Sequence, residues 1–87
     1  MKKVFDLPCL DNRKSFYGKA KVIEEGNRIF LQSYNTIVGY ISEGKFHRTW
    51  NGYSATTIRH VSSFCEMYGL DTVNKGKWNA MEIESVA

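Results

Sequence analysis

The chain has 87 residues, a mass of 10.0 kDa and a formal net charge of +3, from twelve Lys+Arg against nine Asp+Glu. This length fits one domain spanning residues 1–87 and leaves no room for a repeat array or a large multi-cofactor enzyme. With 43% hydrophobic and 24% charged residues the composition is that of a globular fold, and no apolar run approaches the roughly 18–20 residues of a membrane span.

Residues 1–5 open like a signal peptide, but Asp6 and Asp11 interrupt the apolar stretch that an h-region requires, so a cytoplasmic protein is expected. Lys3 to Leu7 is a short β-like run, stopped by Pro8. Cys9 to Lys14 is polar and reads as a turn. From Phe16 to Glu24 the residues alternate. Phe16, Gly18, Ala20 and Val22 share one face, and Tyr17, Lys19, Lys21 and Ile23 share the other, the pattern of a half-buried strand. Glu25-Gly26-Asn27 supplies a tight hairpin, and Arg28 to Ser33 returns from it. Thr36 to Ser42, rich in β-branched and aromatic residues, is the strongest strand signal in the chain. A turn at Glu43-Gly44 leads into a further strand from Lys45 to Trp50.

Ser54 then has the place of a helix N-cap, its hydroxyl able to accept from the free N–H groups of the first turn. Ala55, Ile58, Val61, Phe64 or Cys65, and Tyr68 recur at helical spacing, and Gly69 supplies the stop. The expected buried face therefore sets Ile58, Val61 and Phe64 against Ile29, Leu31, Ile37 and Ile41. Asn74 to Met81 can form a short helix with Trp78 and Met81 inward, and Glu82 to Val86 alternates like a last strand. The fold expected is α+β: an antiparallel sheet of four to five strands with one main helix on one face.

The chemistry-bearing residues are sparse. Cys9 and Cys65 match no Cys-x-x-Cys spacing, so no metal is expected; two free thiols are the expected state, with a single disulfide left open. His60 and Cys65 on one helix lie about 140° apart around its axis, which disfavours a catalytic pair. No paired carboxylates and no glycine-rich phosphate loop occur, so neither catalysis nor a cofactor is expected. Two surfaces stand out instead. Arg13, Lys14, Lys19 and Lys21 fall within nine residues containing no acid, and Lys19 and Lys21 with Tyr17 make a basic strand face. That face suits a phosphate backbone or an acidic protein patch, or serves only as a solvated strand edge. The second is the stretch Arg48, Trp50, Tyr53, Arg59 and His60, which joins a strand to a helix N-terminus and combines aromatic rings with guanidinium groups. Helix capping and core packing explain much of it equally well.

Ser33-Tyr34-Asn35-Thr36-Ile37-Val38, followed by Gly52-Tyr53-Ser54-Ala55-Thr56-Thr57-Ile58-Arg59-His60, resembles a family of small uncharacterised proteins of phages, plasmids and other mobile elements. The resemblance covers about Arg28 to Gly69. It implies an accessory protein that docks on a host protein or nucleoprotein complex, as anti-CRISPR inhibitors of host defence do. A direct nucleic-acid-binding module using the basic strand face is the alternative. A small enzyme built on His60 is the third.

Overall fold

The computed structural model describes residues 2–7 and 19–84. Five strands, β1 (Lys3–Asp6), β2 (Ala20–Glu25), β3 (Arg28–Ser33), β4 (Thr36–Ser42) and β5 (Lys45–Arg48), are followed by two helices, α1 (Ala55–Met67) and α2 (Lys75–Ala80). The strands form one sheet in the order β1-β2-β3-β4-β5, every neighbour antiparallel. The α+β fold read from the sequence is thus the fold observed. The expected turn at Cys9 to Lys14 and the start of the strand at Phe16 lie outside the described residues.

Short turns set the meander. Gly26 takes φ 62° between β2 and β3, and Glu43 and Gly44 take 53° and 76° between β4 and β5. Two successive left-handed residues match the right-handed twist of the strands they join. α1 starts and stops where the sequence indicates. The Ser54 side chain accepts from the Thr57 N–H, and past the last turn Gly69, at φ 78°, lets the Leu70 N–H return to the Cys65 carbonyl at 2.8 Å.

The core lies between the sheet and the helices: Leu7, Ala20, Val22, Leu31, Val38, Ile41, Val61, Phe64, Cys65, Val73 and Trp78 are all buried. Two details of the expected packing are corrected. In β4 it is Val38, not Ile37, that enters the core. The register jumps from Leu31↔Gly39 to Gln32↔Ile37, so a bulge at Val38 breaks the alternation and turns Ile37 to the opposite face with Gln32. The buried face of α1 is also rotated from the expected stripe. Thr57, His60, Val61, Ser63, Phe64 and Cys65 are buried, while Ala55 is exposed and Ile58 half-buried. The rotation seats polar Thr57 and His60 against Ser33 at the end of β3.

Gly39 has a steric reason. A Cβ there would collide with the Phe46 ring and the His47 carbonyl. Its absence lets the Phe46 ring cross the strand and approach Phe64 and Trp78, at centroid distances of 6.1 and 6.4 Å. Asn74 caps α2 by accepting from the Lys77 N–H, and Trp78 is fully buried. Of the expected last strand from Glu82 to Val86, the described part ends at Glu84 and makes a parallel bridge between Ile83 and Arg48 on the outer edge of β5; Ser85 and Val86 lie outside the described residues.

Candidate functional site

The residues singled out from the sequence do not form one surface: Tyr17 lies outside the described residues, and Arg59 is half-buried on α1 next to His60. Arg48 is interior. Its Nε donates to the Trp50 carbonyl at 2.7 Å, Nη1 to the Trp78 carbonyl at 2.9 Å and Nη2 to the Gly52 carbonyl at 3.4 Å. The guanidinium also lies 4.4 Å from the Trp78 ring centroid. Arg48 therefore staples the β5–α1 connection to α2, with each of its three nitrogens donating to a carbonyl. Trp50 packs against the same core. Together they form a structural clamp, not the exposed surface read from the sequence. The reason is their register: Arg48 pairs with Gly39 on the helix-covered face.

His60 is interior too. Its Nδ1 lies 2.8 Å from Ser33 Oγ, which is 3.1 Å from Thr57 Oγ1, and all three residues are buried. Burial, reinforced by the charges of Arg59 and Lys19, lowers the imidazole from 6.5 to about 4, so it is neutral at physiological pH. Lys19 lies 5.9 Å from the Tyr34 ring centroid, and Tyr34 stands 5.9 Å from His60. Lys21 instead faces Asp6 across β1, at 3.4 Å. The two lysines of the expected basic face thus engage different partners, Lys19 toward the β3–β4 turn and Lys21 toward β1. Tyr53 is exposed beside Lys75, whose Nζ is 5.2 Å from its ring centroid.

A different surface emerges from the register. Val4 pairs with Ile23, Ile23 with Phe30, Phe30 with Tyr40, and Tyr40 with His47. These pairs lie directly opposite one another, so five side chains form one continuous row across all five strands. At about 4.8 Å per strand spacing the row is about 19 Å long. Because Val22 and Leu31 point to the helices, this row occupies the face that neither helix covers. Val4 is 51% exposed, and Ile23, Phe30 and His47 are half-buried. Tyr40 is buried because His47 stacks on it at 4.7 Å, Phe30 lies 5.8 Å away and the Arg28 guanidinium sits 5.0 Å over its ring. Charges flank the row on both sides: Asp6 and Lys21 on one, Glu25, Arg28 and Lys45 on the other.

The C-terminal segment closes the β5 end of this row. The Glu84 N–H donates to the Arg48 carbonyl at 2.7 Å. Its carboxylate accepts from His47 Nδ1 at 2.6 Å and from the Tyr40 hydroxyl at 3.3 Å. The His47 hydrogen bond, followed by the His47 charge, the Tyr40 hydroxyl and the Arg28 charge, holds this carboxyl below its usual range against an opposing push from desolvation.

Elsewhere the chemistry is quiet. Cys65 is free and buried, and desolvation pushes its thiol up to about 12, which makes it a poor nucleophile. Among the described residues no three His, Cys, Asp or Glu side chains are grouped to hold a metal ion, and no helix is long and apolar enough to cross a membrane. A hollow of about 470 Å³ beside β1 is lined, among the described residues, by Lys2, Lys3, Glu24, Glu25 and Gly26, none of which is a nucleophile or an imidazole.

Fold and surface together define the class: a small α+β protein whose helices cover one face of a five-stranded meander and whose other face carries an apolar row between charges. Within that class the chain belongs to DUF8033, a family of unknown function, which matches residues 5–80. No curated protein and no solved structure matches the chain.

Proposed function

We propose that this is a small, non-enzymatic binding protein that docks on another protein through the helix-free face of its sheet. The carrying observation is the row Val4, Ile23, Phe30, Tyr40 and His47. An apolar and aromatic strip bordered by charges of both signs is the anatomy of a protein interface, with its apolar centre and polar rim. Arg28 stacked on Tyr40 adds the residue types that dominate binding energy at such interfaces. The mixed signs favour a protein over a nucleic acid, since a phosphate backbone calls for an uncompensated basic surface. Here Lys21 is paired with Asp6, and Glu25 and Glu84 border the same face. Catalysis by Ser33 and His60 is disfavoured by burial: Ser33 is 2% exposed and His60 is 1% exposed, which leaves a substrate no approach to Oγ. The mobile-element context implied by the sequence resemblance supplies the class of partner, a host protein or a host nucleoprotein complex, with inhibition of a defence complex as the biological outcome.

The test is a comparison of variants. Tagged wild type, Phe30→Glu and a Glu66→Lys control on the exposed side of α1 are used to capture partners from host lysate, and any captured protein is then purified and titrated. Phe30→Glu is expected to keep its melting profile and weaken that complex at least ten-fold, while Glu66→Lys binds as wild type. The reading fails if Phe30→Glu binds unchanged. It fails in favour of the nucleic-acid alternative if the wild type instead binds a thymidine 20-mer with affinity that falls steeply with salt and is lost in a Lys19→Glu, Lys21→Glu double variant.

A further inference from the structure

We infer that the β5 end of the apolar row is a receptor for an extended acidic segment of the partner, and that the chain's own Ile83-Glu84 occupies it as an internal stand-in. This deepens the docking reading above and rests on it.

Three kinds of group converge on Glu84. His47 on β5 and Tyr40 on β4 each donate to a different oxygen of Glu84, at 2.6 and 3.3 Å. The charge of Arg28 on β3 reaches the same carboxyl. The outer edge of β5 provides the third element, a backbone acceptor. The Arg48 carbonyl takes the Glu84 N–H at 2.7 Å, and Ile83 bridges Arg48 in the parallel sense. Two donors on rigid neighbouring strands, a cation and an open strand edge are what addition of an acidic strand to a sheet requires.

The present occupant is held lightly. Among the described residues it makes one isolated bridge where a strand would make a ladder, and the Glu84 side chain is 42% exposed. Its advantage over a partner is that it belongs to the same chain, which gives it a local concentration in the millimolar range. A partner segment with an acid at the Glu84 position, and further contacts along Phe30 and Ile23, can displace it. The partner is therefore expected to present a short extended stretch in which an acidic residue follows an apolar one, next to an apolar surface that covers the row.

The experiment uses the full chain and a defined probe, an acetylated peptide with the sequence of residues 80–87. Titration against Glu84→Ala is expected to show binding at least ten-fold tighter than to wild type, whose own tail competes. The same peptide with glutamine at its Glu84 position is expected to bind Glu84→Ala at least ten-fold more weakly. In a Glu84→Ala, His47→Ala double variant that preference for glutamate over glutamine should disappear. The inference is overturned if Glu84→Ala binds neither peptide or binds both equally. A negative peptide result with Phe30→Glu still abolishing partner capture would remove the acidic-segment receptor and leave the docking row standing. Peptide binding as expected with Phe30→Glu inert would do the reverse.

Discussion

Phe64→Ala should lower the unfolding free energy by about 3–5 kcal/mol, a large part of what a domain of this size possesses. Phe64 is fully buried on α1, with Phe46 at 6.1 Å and Tyr68 at 5.5 Å in edge-on contact. Both rings belong to different elements, so neither can move in to fill the space without dragging β5 or the end of α1. Truncation therefore removes transfer energy and leaves a cavity between sheet and helix. Phe64→Leu, which keeps most of the volume, should cost much less. Urea unfolding at neutral pH checks both. A Phe64→Ala protein with a wild-type midpoint would mean that the packed face of α1 is misassigned.

Acidification should produce the second large effect, and His60 should account for most of it between pH 7 and 5. Its imidazole is lowered to about 4 in the fold, against 6.5 for the exposed group, by burial and then by Arg59 and Lys19. In the interval between those values the unfolded chain binds the proton and the native state does not. Stability is therefore complete above pH 6.5 and declines as the pH falls toward 4. From pH 7 to 5 the loss should reach about 2 kcal/mol, before most carboxylates begin to protonate. His60→Gln retains a polar partner for Ser33 but carries no titrating group. Its stability should be lower than wild type at pH 7 and nearly flat over the same interval. A wild type whose urea midpoint does not change between pH 7 and 5 would contradict the neutral buried imidazole.

The features readable in the sequence are those set by local chemistry. Gly26, Glu43-Gly44, Ser54 and Gly69 each mark a turn or helix end by the backbone conformation or capping bond that the residue favours, and each stands where it was read. What was not readable depends on pairs distant in the chain. The bulge at Val38 arises from the packing of β3 against β4, and no property of Thr36 to Ser42 alone announces it. The rotation of α1 follows from hydrogen bonding among Ser33, Thr57 and His60, which lie 24 and 27 residues apart in the two contacts. Hydrophobic periodicity counts polar residues as outward and so cannot anticipate it. Arg48 looked like a surface cation because its three carbonyl partners become visible only in the folded chain.

The candidate site was hidden for the same reason. Val4, Ile23, Phe30, Tyr40 and His47 are spread over 44 positions, and only the strand register aligns them. The usable signal was present in part. The alternation that put Lys21 and Ile23 on one face was correct, and extending it to Phe30 and Tyr40 through the two short hairpins would have drawn the row.

The measurement that tests docking most directly is site-specific photo-crosslinking in host cytosol. Benzoylphenylalanine is placed at position 30 in one sample and at position 66, on the outer side of α1, in another. Position 30 should give one discrete protein adduct, lost when unlabelled wild type is added in excess, and position 66 should give none. A discrete adduct from position 66 with none from position 30 would place the interface on the helical side and contradict the account.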